Sequence, residues 1–203
     1  MLAAVERARA RGSVRADVLR PRLAKYPESV RARGETLLET LDVDAAQQRR
    51  RLESLLDVMR DGDLRRGQVL FNSPRVACGS CHAIGYQGGK IGPDLTAIGQ
   101  IRSERDLLEA IVFPSASFAR GYESVVVTTT AGVVHSGVLR RELPDEVVVA
   151  SGERDETRIP RAQIADMQPG LVSVMPAGFG DVLTRQELAD LLAFLKATRW
   201  GAN

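Results

Sequence analysis

Between Gly121 and Ile164 the hydrophobic pattern of the chain changes period, and this change limits the fold more than any other feature. The runs over 125–130 (VVVTTT), 133–140 (VVHSGVLR) and 146–150 (EVVVA) are rich in β-branched residues. They are separated by Ala131-Gly132 and Leu143-Pro144-Asp145, and a weaker run over 156–160 (ETRIP) follows Gly152. Alternation of this kind, punctuated by turn residues, predicts a small antiparallel sheet or barrel of four or five strands. On either side the apolar spacing is helical.

The helical parts carry recognisable ends. Upstream, Ser13 caps a segment with Val14, Val18 and Leu19 on one side; Leu37, Leu38 and Leu41 mark a second, over 35–41, and Leu52, Leu55, Leu56 and Met59 a third, over 45–60. Each stripe is too narrow to stand alone, as in the last turns of a helical-repeat array. Asp63 is placed to cap a short helix in which Leu64, Gly67 and Phe71 fall on adjacent turns. Ser103 with Asp106, and Thr184 with Glu187, have capping-box spacing. The first opens a helix with Leu107, Leu108, Ile111 and Val112 on one face, stopped by Pro114; the second opens a last helix lined by Leu188, Leu191, Leu192 and Leu195. The expected fold is thus mainly α with a small, barrel-like antiparallel β insertion.

At 203 residues, 44% hydrophobic and 27% charged, the chain can bury one good core or two small ones without disulfides. Disorder and collagen-like repeats are excluded. No apolar run approaches the roughly 18 residues of a membrane helix. Of 28 basic residues only Lys25, Lys90 and Lys196 are lysines, so no polybasic block marks a nucleic-acid or membrane partner. The N-terminus lacks the apolar stretch of a secretory signal.

The chemistry is concentrated at Cys78-Gly79-Ser80-Cys81-His82. Two thiols three residues apart on a helical turn can reach the two vinyl groups of one haem, and the next residue then presents its imidazole to the iron. Three rival readings compete with this. A structural zinc site needs four ligands, yet Cys78, Cys81, His82 and His135 are the chain's whole stock of cysteine and histidine, and His135 reads as an ordinary strand residue. A thioredoxin-like dithiol sits between a strand and a helix of a βαβ unit, which is not the pattern here. A chance match in a reduced cytosolic protein is the third.

Further residues support one covalent haem c. The stretch over 85–99 holds Gly85, Gly88, Gly89, Gly92 and Gly99, reads as a loop, and lacks the frame of a phosphate cradle. Its glycines would let backbone pass close to a flat porphyrin. Pro93 is placed to offer its carbonyl to the second ring nitrogen of His82. A second iron ligand is expected from Met1, Met59, Met167 or Met175. Met175 is the first choice because it lies on an irregular segment ahead of the last helix; Met167 is the runner-up, and Met59 reads as core packing. Leu95, Ile98, Leu107, Leu108, Ile111 and Phe179 are candidates for an apolar cleft, each equally compatible with ordinary core.

In order, GQVLF, CGSCH, GPDLTAIG, SVMPAGF and LTRQELADLLAFL resemble a class I cytochrome c fold. More narrowly, GPDLTAIG, RDLLEAIVFPSASFARGYESVVVTT and SVMPAGF resemble the haem-binding domain at the C-terminal end of large secreted proteins of the planctomycete and verrucomicrobial group. The likeness covers about residues 63–198. It implies a helical segment over 1–62 that ends a helical-repeat region, a cytochrome c domain over 63–203, and a β insertion over 122–164 within it. The implied function is electron transfer without substrate chemistry, with electrons from a fused or partner dehydrogenase, in a periplasmic or otherwise exported protein whose signal lies outside this chain. Two alternatives stay open: a haem-based sensor or peroxidase-like domain with a labile distal Met175, and an interaction role for the strands.

Overall fold

The computed structural model describes residues 16–57 and 61–199. Ser13, Met1 and Met59 lie outside them. The first elements are helices α1 (Ala16–Leu23) and α2 (Glu28–Leu56), which pack where Gly34 meets Leu23. A Cβ on Gly34 would lie 2.4 Å from Leu23 Cδ1. The two helical segments expected over 35–60 are one continuous helix, because Asp42-Val43-Asp44 contains neither glycine nor proline to stop it. The last turns of α2 bring Leu52 and Leu55 into the main core.

That core is built by α3 (Leu64–Phe71), α6 (Glu104–Val112) and α8 (Arg185–Ala197), with the single-turn helices α4 (Cys78–Cys81), α5 (Ile98–Ile101) and α7 (Phe179–Val182) around them. The caps form as their residue types dictate: Asp63 accepts from the Arg66 amide, and both capping boxes close. Helix α3 lies directly against α8. A Cβ on Gly67 would stand 2.0 Å from the Asp190 carbonyl oxygen, so only glycine permits this approach. One turn on, the rings of Phe71 and Phe194 meet at 5.4 Å and 58°.

Asp190 fixes the same crossing from inside. Its carboxylate, 5% exposed, accepts from the Asp63 amide, from Arg66 Nε and Nη2, and from Gln186 Nε2. Those bonds, Arg66 first, hold its pKa at about 2 against the opposing effect of burial.

The remaining strands overturn the expectation of a mainly α chain. The fold is mixed α/β. The stretch over 85–99, read as a loop, supplies the turn and second strand of a hairpin, β1 (Ala83–Ile84) with β2 (Gln87–Gly88), turned by Gly85 at φ +64° and Tyr86. Beyond α6 come β3 (Ser124–Thr129), β4 (Val134–Glu142), β5 (Glu146–Ala150), β6 (Glu156–Pro160) and β7 (Ile164–Pro169). They form one antiparallel sheet in the order β6-β5-β4-β3-β7. This is a second structural layer with its own core of Val125, Val127, Val147, Val149 and Ile159. The helical resemblance understated it, because that likeness weighs the segments around the strands and treats the strands as an interruption.

The sheet is curled. Its edge strands β6 and β7 are joined only by the 3₁₀ turn Arg161–Gln163. Four residue steps reach at most about 14 Å, less than the roughly 19 Å between the edges of a flat five-stranded sheet. The barrel-like shape anticipated from the alternation is therefore imposed by the connection.

Candidate functional site

Helix α4 places Cys78 and Cys81 one turn apart, with the His82 amide donating to the Cys78 carbonyl at 3.0 Å. The turn starts from Ala77 in the left-handed region, φ +49°. Both cysteines are half-buried and unbridged. Cys78 packs against the main core, as Leu95, Ile98 and Phe179 also do, whereas Cys81 packs against a separate small cluster of Ile91, Val138 and Ala150, with Tyr122 and Val174. Burial pushes the Cys78 thiol up to about 11. A dithiol redox centre needs the opposite shift, so this environment disfavours the thioredoxin-like reading.

His82 leaves α4 in extended conformation, and its Nδ1 lies 2.8 Å from the Pro93 carbonyl oxygen. A carbonyl only accepts, so Nδ1 carries the proton and the Nε2 lone pair is free for a metal. Burial lowers the imidazole pKa, with the Pro93 bond acting the other way, and so favours the neutral form. Gly92 closes over the ring: a Cβ there would lie 2.5 Å from His82 Cε1 and 2.7 Å from Nδ1. Its amide donates to the Cys81 carbonyl at 2.8 Å, while the Leu95 amide donates to Ala83 at 2.8 Å. The glycine-rich segment therefore folds back along the cysteine turn and delivers Pro93 to His82.

Met175 lies half-buried on the segment between β7 and α7. Its amide donates to Ser173 Oγ at 3.1 Å, and the Ser173 amide donates to the buried Ser115 Oγ at 2.9 Å. Val174 packs against the same Ile91, Val138 and Ala150 cluster as Cys81. The segment's far end is pinned by Arg51, which donates to the Gly180 carbonyl and pairs with Asp181. Met167 has a different place. It sits in β7 opposite Val127 and packs against the barrel core, and His135 is paired with the same Val127 from β4.

Leu107, Leu108 and Ile111 are buried in the main core, and Leu95, Ile98 and Phe179 lie against it. Sequence reasoning missed what the sheet contributes. Glu153 Oε2, on the turn between β5 and β6, accepts from the amides of Lys90 and Ile91 at 2.8 and 2.9 Å, and Arg140 donates to the Lys90 carbonyl at 2.8 Å. A single exposed glutamate in a turn gives no signal of a contact more than sixty positions away.

The donor set fits a covalently held haem: two unbridged thiols on one turn, a neighbouring imidazole with its second nitrogen tied, and a glycine where a side chain would displace the ring. Among the described residues no three His, Cys, Asp or Glu side chains gather into a group that could hold a metal ion by themselves. Among them, too, no helix is long and apolar enough to cross a membrane. Compared with protein-family models and with curated proteins, the chain matches none.

Proposed function

We propose that this chain is an electron carrier with one covalently attached haem c, held by Cys78 and Cys81 and ligated by His82 and Met175. The observation that carries the reading is the His82–Pro93 hydrogen bond beside two free cysteines on one helical turn. When bound, the haem supplies a one-electron couple at its iron. The protein's own residues do the rest. Cys78 and Cys81 anchor the group from two different apolar clusters. Pro93 holds the proton on His82 Nδ1, which leaves the Nε2 lone pair to ligate the iron a haem would bring and makes that nitrogen more basic. Met175 offers a soft thioether from a segment tethered at Ser115 and Arg51. Leu95, Ile98 and Phe179, packed against the same main core as Cys78, supply apolar surface there. Electrons come from a dehydrogenase, fused or separate, and leave to another redox protein, all outside the cytoplasm where haem is attached.

The test is to mature the chain with the haem-attachment machinery in an oxidising periplasm. One haem should survive denaturation and acid extraction, and Cys78→Ser with Cys81→Ser should abolish it. In the haem-free chain Cys78 should resist alkylation at pH 8, as a thiol held near 11 does. A colourless product that binds zinc would sink the proposal.

A further inference from the structure

We infer that Glu153 is a positioning residue for His82, acting through the segment 90–93, and that the sheet thereby braces the proximal side of the site. This rests on the haem reading only for its effect on the iron; the brace itself belongs to the chain.

The path is continuous. Glu153 Oε2 takes both the Lys90 and Ile91 amides, and Arg140, itself 3.7 Å from Glu156, donates to the Lys90 carbonyl. Lys90 is thus gripped at its donor by the β5–β6 turn and at its acceptor by β4. Ile91 is 2% exposed and packs on Val138 and Ala150, so its side chain is seated on the same sheet. The next residue, Gly92, bonds back to Cys81 and lies against the His82 ring, and the one after it, Pro93, accepts from Nδ1. Three consecutive backbone positions join the carboxylate to the imidazole. Hydrogen bonds from amides to a carboxylate are among the stronger ones, and no other side chain is described on these two amides. Releasing them frees the segment that presents the Pro93 carbonyl, and a longer Nδ1 bond makes His82 a weaker donor.

The experiment compares Glu153→Ala, Glu153→Gln and Arg140→Ala with the unaltered full chain, haem-free and matured. Gln keeps the acceptor and removes the charge; Ala removes both. In the haem-free chain, nitrogen NMR of His82 should show the proton confined to Nδ1 in the wild type and in Glu153→Gln. Glu153→Ala should show a second, Nε2-protonated population, with Lys90 and Ile91 amides exchanging about tenfold faster or more. Arg140→Ala should move the same way by less. In the matured protein the reduction potential should rise in Glu153→Ala beyond the rise in Glu153→Gln, whose change measures the lost charge alone. An unchanged His82 signal in Glu153→Ala, whether or not the two amides loosen, overturns the brace. A chain that never takes up haem defeats the haem reading alone, since the imidazole signal still decides the brace.

Discussion

Removing the Asp190 carboxylate should cost this protein more than any other single polar change at the α3–α8 crossing. The side chain is 5% exposed and accepts four hydrogen bonds, two of them from Arg66, one from the Asp63 amide that heads α3, and one from Gln186. Hydrogen bonds to a charged group contribute roughly 1.5–3 kcal/mol each when a partner is left stranded. Arg66 is 59% exposed and rehydrates when released, so its share is small. The Asp63 amide, held at a helix start, is the group left wanting. About 3 kcal/mol for Asp190→Ala follows, which in a chain of this size lowers Tm by roughly 6–12 °C. Asp190→Asn keeps the volume but sets an NH₂ against a donor, and should lose about 2 kcal/mol. The pH dependence has a definite sign. The folded carboxyl titrates at about 2, below its ordinary 3.8, so the unfolded chain takes up the proton first as pH falls. The contribution is complete above the ordinary value and is lost as pH falls through about 2. Urea denaturation at several pH values would measure both effects. An Asp190→Asn unfolding free energy within 0.5 kcal/mol (roughly the scatter of surface changes) of the wild type would refute the reasoning.

Two further outcomes concern the site itself. Met175→Ala should abolish the far-red sulfur-to-ferric-iron band, lower the potential and open the iron to carbon monoxide or cyanide. Met167→Ala, packed against the barrel core opposite Val127, should do none of these and lose stability instead; rapid carbon monoxide binding by the wild type would favour the sensor or peroxidase-like reading. Gly92→Ala puts a methyl 2.5 Å from His82 Cε1, so either the ring or the loop must shift, and the ring is expected to leave the Pro93 carbonyl. Nitrogen NMR of the haem-free chain should then show the Nδ1 bond lost, and an unshifted ring signal would show that the loop yields instead.

Signals carried by near neighbours were legible in the sequence. Asp63, Ser103 with Asp106 and Thr184 with Glu187 cap helices because each needs only a side chain three residues from an amide. Pro93 could be assigned to His82 because a short glycine-rich segment can return to the turn it left. Four of the five strands followed from alternation; β7 (Ile164–Pro169) did not, because its sequence IADMQP alternates poorly and it lies beyond the insertion expected over 122–164. The weight of the strands in the fold did not follow either, because a period reports local geometry and says nothing of how much core they enclose. The uninterrupted helix Glu28–Leu56 was divided for a related reason: gaps in an apolar stripe were read as breaks, although only glycine or proline stops a helix on its own account.

What stayed hidden is the group of contacts made by residues with no local duty. Gly67 looks like a mild helix defect until α8 is laid across it, and then it is the one residue type that lets the Asp190 carbonyl come so near. Glu153 and Arg140 look like solvated turn and strand charges until the sheet is set beside the segment 90–91. Both cases have the same physical origin: the partner is backbone, and backbone amides and carbonyls leave no mark in a sequence. This also bears on what the sheet does. A stretch that merely interrupted the helical fold would need only its own barrel core; Val138 and Ala150 instead bury Ile91 beside Cys81, and Glu153 holds the amides next to them. The strands are therefore tied to the segment 90–91 beside the cysteine turn through both apolar and polar contacts, and substitutions at Val138 or Ala150 should disturb His82 more than equally disruptive ones at Val147 or Val149, which belong to the barrel core.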